Sequence, residues 1–221
     1  MTKRPTTKIK TLYWEAEGGN SAMLHLLSRN IASYFSGKSI IPQDDEAVYA
    51  YGFELLFSAL LNGGIVLLLA VVFGKVPEAL LYVAAFILLR QTAGGYHAST
   101  NLGCTLILTV AFTGCMLLLT FLPTEYYKSL TMGAMGLSSV GIVFFGPVDS
   151  KAKPFTSMER TAFRCRSIMA LVFEICVIVV MFTLFPMQDF ALSLSTGMLT
   201  AALSVIVGRL FLVAEAKSQS I

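Results

Sequence analysis

Charge is scarce in this chain. Only 13% of its 221 residues are Asp, Glu, Lys or Arg, while 56% are hydrophobic and the mean hydropathy is +0.74. A soluble domain carries about 25% charged residues. A larger core does not account for the deficit, because the apolar residues fall in long uninterrupted runs, and about 20 such residues cross a bilayer as a helix. The runs lack period-two alternation, which excludes a closed membrane barrel. Histidine is scarcer still, with only His25 and His97. A zinc site needs three or four ligands, and only scattered acids remain to complete one, so no metal is expected. The four cysteines, Cys104, Cys115, Cys165 and Cys176, form neither a CxxC pair nor a secreted disulfide framework. No Gly-rich nucleotide-binding signature and no inverted repeat is visible, and no cofactor is expected. The net charge of +3 is too small to argue for nucleic acid. The first fifty residues are polar and basic and contain no signal h-region.

What is present is an all-α, polytopic pattern of six apolar spans behind an amphipathic helix. Residues 1–49 read as a basic N-terminal segment, 50–214 as the membrane domain and 215–221 as a short polar tail. Residues 20–36 predict a helix capped by Asn20 or Ser21, with Leu24, Leu27, Ile31 and Phe35 on one stripe and His25, Arg29 and Ser33 off it. That helix lies either in the interface plane or against the protein's own face. Gly37 ends it, Pro42 ends the connection that follows, and Asp44 and Asp45 open the next helix. The first span is Tyr51–Phe73 and carries Glu54 and Asn62. An acid within a span needs a partner, for which Arg90 is the candidate, or it sits at the headgroup level.

Gly74-Lys75 makes a tight turn. The second run, Val76–Leu89, covers about 21 Å of a hydrocarbon core about 30 Å thick. The helix therefore extends into Arg90–His97, or the bilayer thins there. The third span is Leu102–Leu122, ended by Pro123. The fourth is Leu130–Phe145, where Gly133, Gly136 and Gly141 let helices approach closely. A loop follows over Gly146–Pro154, then a short basic helix over 155–167, a fifth span at Ile168–Phe185 and a sixth at Phe190–Val213. Cys115 and Cys176 fall inside apolar runs and read as small buried hydrophobes, and Cys165 lies in the basic loop. With both termini cytosolic, fourteen of the sixteen Lys and Arg fall on the cytosolic side and only Lys75 and Lys128 outside, as the positive-inside rule requires.

The most reactive stretch is Arg90–Cys104, which holds a Gly-Gly pair, His97 and Cys104 between two apolar runs. A thiolate is the nucleophilic form of cysteine, and an imidazole can take the thiol proton and return it to a leaving amine. Seven residues of straight helix would separate the two groups by about 10.5 Å, too far for a hydrogen bond. A direct dyad therefore requires a non-helical turn within 98–103, with His97 ending the second span and Cys104 starting the third. Gly94, Gly95, Ser99, Thr100, Asn101 and Gly103 permit such a turn.

Arg90-x-x-x-Gly94-Gly95-Tyr96-His97-Ala98, followed by Cys104, resembles the signature of the accessory gene regulator B (AgrB) family. Pro147-Val148-Asp149-Ser150-Lys151-x-Lys153-Pro154 resembles that family's second motif. The resemblance implies a bacterial membrane cysteine endopeptidase, with Cys104 as nucleophile and His97 as its base. Arg90 and Gly95 match further functional positions, and Gly94 belongs to the same motif. It further implies an AgrD-like precursor peptide as partner, cut through a thioester and cyclised to a thiolactone or lactone quorum-sensing signal, and a homodimer in the cell membrane. Asp149 is a candidate to orient His97 or to bind the loop lysines. Lys151 and Lys153, with Arg160, Arg164 and Arg166, either hold an acidic peptide tail or serve only as a topogenic loop. The competing functional reading is a peptide exporter or assembly factor without proteolysis.

Overall fold

The computed structural model describes residues 22–94, 101–148, 156–183 and 187–218. Among these, the chain forms α1 (Ala22–Gly37), α2 (Glu46–Val72), α3 (Val76–Ala93), α4 (Asn101–Phe121), α5 (Tyr127–Phe145), α6 (Ser157–Thr183) and α7 (Gln188–Ser218), with no strand. Short 3-10 turns at Gln43–Asp45 and Thr124–Tyr126 lead into α2 and α5, each after an extended proline, Pro42 and Pro123. Gly74 turns between α2 and α3 at a φ of 65°, a left-handed conformation that glycine adopts without a Cβ clash. Pro77, in the first turn of α3, costs no hydrogen bond there.

Five segments are long and apolar enough to cross a membrane: Gln43–Val72, Val76–Ala93, Thr124–Phe145, Met158–Thr183 and Gln188–Phe211. A sixth apolar segment, Thr105–Phe121, is shorter. This is a multi-pass helical membrane protein. Several boundaries differ from the sequence reading. The basic stretch over 155–167 is not a separate helix, because α6 runs unbroken from Ser157 through the fifth span. With no Gly or Pro between Ser157 and Thr183 the backbone has no reason to stop. Cys165 is therefore on a helix and exposed. α7 continues to Ser218, so the described part of the expected C-terminal tail is helical.

Contacts divide the chain into two units, Met1–Val66 with Ala98–Val110, and Leu67–His97 with Ala111–Ile221. In the first, Phe35 packs on Phe53 with ring centroids 5.8 Å apart, and His25 reaches Glu54 at 3.3 Å. These contacts are ten residues apart on α1 but adjacent on α2, so α1 crosses α2 instead of running along it. The inward face of α1 carries Ser28, Ala32 and Ser36, whereas Leu26, Leu27 and Tyr34 point outward. The expected stripe is thus split: Leu27 is exposed, whereas Ile31 is half-buried and Phe35 packs on Phe53. Small residues let the helix approach closely, and the outward leucines suit a helix at a membrane interface.

The second unit is built around α7. Of its membrane-crossing stretch 56% is buried, against 11–33% for the other four. Met198, Ala201, Ala202 and Val205 pack with Leu89, Ala93, Ile142 and Ile178 in one core. Gly141 approaches α7 closely enough that a Cβ there would lie 3.1 Å from Ala202 Cβ, but Gly133 and Gly136 face open space. The fourth-span glycines therefore divide by face. Cys115 is buried, whereas Cys176, expected to be buried, is exposed on the outside of α6. Apolarity within a span does not separate a core-facing thiol from one that faces outward, where lipid is as apolar as the core.

Candidate functional site at the end of α3

The α3 helix carries the first motif at its C-terminal end, and local sequence explains why it stops there. α3 runs into the expected Arg90–His97 stretch as far as Ala93, its last helical residue. Gly94 follows at φ 71° and ψ −145°, a region open essentially to glycine alone, and donates its N–H to Arg90 O at 3.1 Å. The second motif meets it here. Val148 N–H donates to Ala93 O at 3.0 Å, and a Cβ on Gly94 would sit 2.7 Å from Val148 O. The Gly146-Pro147 bond that leads into this contact is cis. Two motifs more than fifty residues apart in sequence are thus joined through their backbones.

Arg90 lies one turn before this junction and donates from Nη1 to Ser204 Oγ on α7 at 2.5 Å. It is the last rung of a ladder between the parallel helices α3 and α7. Lys75 pairs with Asp189 at 3.3 Å, Ser193 Oγ donates to Glu78 O at 2.5 Å, and Tyr82 OH bonds Thr200 Oγ1 at 2.8 Å. Gly197 brings the backbones together, since a Cβ there would lie 2.4 Å from Tyr82 O. Beside the ladder, Cys115 Sγ contacts Thr196 Oγ1 at 2.9 Å. At the far end, burial lowers the Lys75 pKa, but the hydrogen bond and charge of Asp189, with Glu78, outweigh it and leave the amine above its ordinary value. Interhelical hydrogen bonds of this kind contribute about 0.6 kcal/mol each on average, and together they fix the register of α3 against α7.

Arg160, Arg164 and Arg166 stand exposed on the first turns of α6, and Arg164 reaches Val143 O at 3.4 Å. Among the described residues of the second unit, Arg160, Arg164, Arg166 and Arg209 lie toward the Arg90 end, while Lys75 and Lys128 lie at the other. Glu54 is 7% exposed on α2. Its carboxylate meets His25 within the first unit, and Arg90 meets Ser204 within the second.

Cys104 falls in the first turn of α4, which begins at Asn101. Residues 101–103 are therefore helical, and the turn expected within 98–103 does not extend into them. The first-turn N–H groups of a helix lack intrahelical partners, which leaves donors and a positive dipole end near position 104. His97, Gly95, Asp149, Lys151, Lys153 and the Cys104 side chain lie outside the described residues. No group of three or more His, Cys, Asp or Glu able to hold a metal occurs among the described residues.

Sequence reasoning missed two features. Ser204 looked like one more small residue in a span, and nothing in the local pattern singles it out. Glu174 left a legible signal, a lone acid within the fifth apolar run. It is 2% exposed, and neither carboxyl oxygen has a hydrogen-bond partner among the described residues.

A family model described as accessory gene regulator B matches residues 28–208. An AgrB-like protein of Listeria monocytogenes serotype 4b is 25% identical over 120 residues, covering 53% of this chain and 58% of the relative. AgrB-like protein 2 of Clostridium perfringens is 27% identical over 143 residues, covering 62% of this chain and 67% of that protein. The chain thus spans less than two thirds of the Listeria relative's length. No solved structure matches.

Proposed function

Because the chain belongs to the AgrB family, we propose that it is a membrane cysteine endopeptidase that processes a quorum-sensing precursor peptide. The substrate is an AgrD-like peptide, cut so that its C-terminal part is released. The Cys104 thiolate attacks the scissile carbonyl, and His97 takes the thiol proton and returns it to the leaving amine. The peptide remains as a thioester on Cys104. A Cys or Ser side chain of the same peptide then attacks the thioester, forming a thiolactone or lactone ring and regenerating the cysteine.

The observation that carries this reading is the backbone junction of Ala93 and Gly94 with Val148, which joins the two motifs of the family resemblance at one end of α3. The position of Cys104 near the start of α4 supports it, because backbone N–H groups at a helix N-terminus are donors for an oxyanion. Arg90, Gly94 and Gly95 build the site's frame. Lys151 and Lys153, with the α6 arginines, hold the acidic part of the peptide, and Asp149 orients His97. The active site and both termini face the cytosol, the side favoured by the charge asymmetry, and the protein works as a homodimer.

The test is cleavage of a tagged precursor by the full-length protein in liposomes, with wild type, Cys104→Ala and His97→Ala compared. Loss of cleavage in both variants, with an acyl-enzyme seen by mass spectrometry in the wild type, is the expected result. Equal cleavage by all three would remove the peptidase reading, and a Cys104→Ser variant that still exports peptide would favour transport.

A further inference from the structure

We propose that Ser204 is a positioning residue that sets the orientation of the Arg90 guanidinium at the end of α3, where the two motif segments meet. The inference relies on the peptidase reading for its activity readout. It rests on geometry within one compact unit. Arg90 Nη1 donates to Ser204 Oγ, and one turn further along α3 the Ala93 carbonyl and Gly94 contact Val148.

A long arginine side chain has many rotamers, and a short hydrogen bond from its charged end selects among them. Ser204 suits that role because it is short and stands on α7, the most buried helix of the unit. Its place along α7 is itself held. The rungs Lys75–Asp189, Glu78–Ser193 and Tyr82–Thr200, with the close approach of Gly197 to Tyr82, lock α3 and α7 in one register. Between the Tyr82 and Arg90 rungs the two helices are joined by apolar packing, with Ala85 and Leu89 in the same core as Ala201 and Val205. A slip of one residue would carry Ser204 off the α3-facing side, since each residue turns the helix by about 100°. The ladder thus delivers the Ser204 hydroxyl to the guanidinium.

The alternative role is plain helix adhesion, and the threonine and valine variants separate the two. They have nearly the same shape, but only threonine keeps the hydroxyl. Precursor cleavage by the full-length protein in liposomes is expected to fall about tenfold in kcat/KM for Ser204→Val, the scale of one hydrogen bond to a charged group. Ser204→Thr should stay within about threefold of wild type. With Arg90→Lys as background, Ser204→Val should cost less than about twofold more, because coupled residues are not additive. Equal activity of the Thr and Val variants, or a Val loss that multiplies fully with Arg90→Lys, overturns the proposal. If Cys104→Ala cleaves as well as wild type, the peptidase reading fails on its own. Arginine side-chain nitrogen NMR in nanodiscs then decides the positioning role. Restricted Arg90 guanidinium rotation in the wild type, released in Ser204→Val, supports it, and identical rotation in both overturns it.

Discussion

Val148 donates its backbone N–H to the carbonyl of Ala93 at 3.0 Å, across an interval of 55 residues. The bond closes the end of α3 against the segment that follows α5. It leaves room beside it only for a residue without a side chain, which is Gly94.

Gly94→Ala should therefore be severe. An added Cβ would lie 2.7 Å from Val148 O, and the glycine φ of 71° with ψ −145° is strained for any L side chain. The expected cost is about 1–3 kcal/mol, read as a fall in thermal unfolding temperature in detergent. Precursor cleavage, the proposed activity, should fall with it. An unchanged unfolding temperature would mean that the junction opens readily.

The α3–α7 contact gives a paired test. Gly197→Ala places a Cβ 2.4 Å from Tyr82 O and should destabilise the protein by more than about 2 kcal/mol, whereas Gly133→Ala meets nothing within 4 Å. Gly133→Ala should be neutral or stabilising by up to about 1 kcal/mol. Similar unfolding temperatures for the two variants would show that α3 and α7 separate without loss.

Lys75 predicts a pH dependence at the opposite end of that contact. Its pKa is raised above the ordinary 10.5 by Asp189 and Glu78, despite burial, which acts to lower it. A raised lysine contributes stability that is complete below the unfolded pKa and disappears as pH climbs through the folded one. Asp189→Asn should cost up to about 1 kcal/mol at neutral pH. Its difference from wild type should shrink above about pH 10.5. A gap that stays constant across this range would assign the effect to packing.

Glu174 is expected to trade stability for something else. Both carboxyl oxygens are buried without a hydrogen-bond partner among the described residues, and replacing such a group by an apolar one of similar size removes a desolvation cost. Glu174→Met should raise the unfolding temperature. A lower one would mean that the carboxyl is bonded in the membrane.

Much of this architecture was legible in the residues themselves. The apolar runs located the membrane-crossing helices, Gly74 and Pro123 marked two of the breaks, and the scarcity of charge settled the class. The two motifs pointed to Arg90, Gly94 and the segment around Val148 without any coordinates. Helix ends were less legible where nothing in the local chemistry demanded a stop, as in α6, which runs straight through its arginines.

What only the tertiary structure decided is which face of each helix turns inward. A span that is apolar on every side carries almost no rotational signal, because lipid and core accept the same residues. The packed face of α1 is the one with Ser28, Ala32 and Ser36. Gly141 and Gly197 lie at close contacts where Gly133 and Gly136 do not. Glu54 meets His25 and Arg90 meets Ser204. Each pairing depends on how far two helices are turned and slid against each other. That is a property of packing in three dimensions, and no single stretch of sequence encodes it.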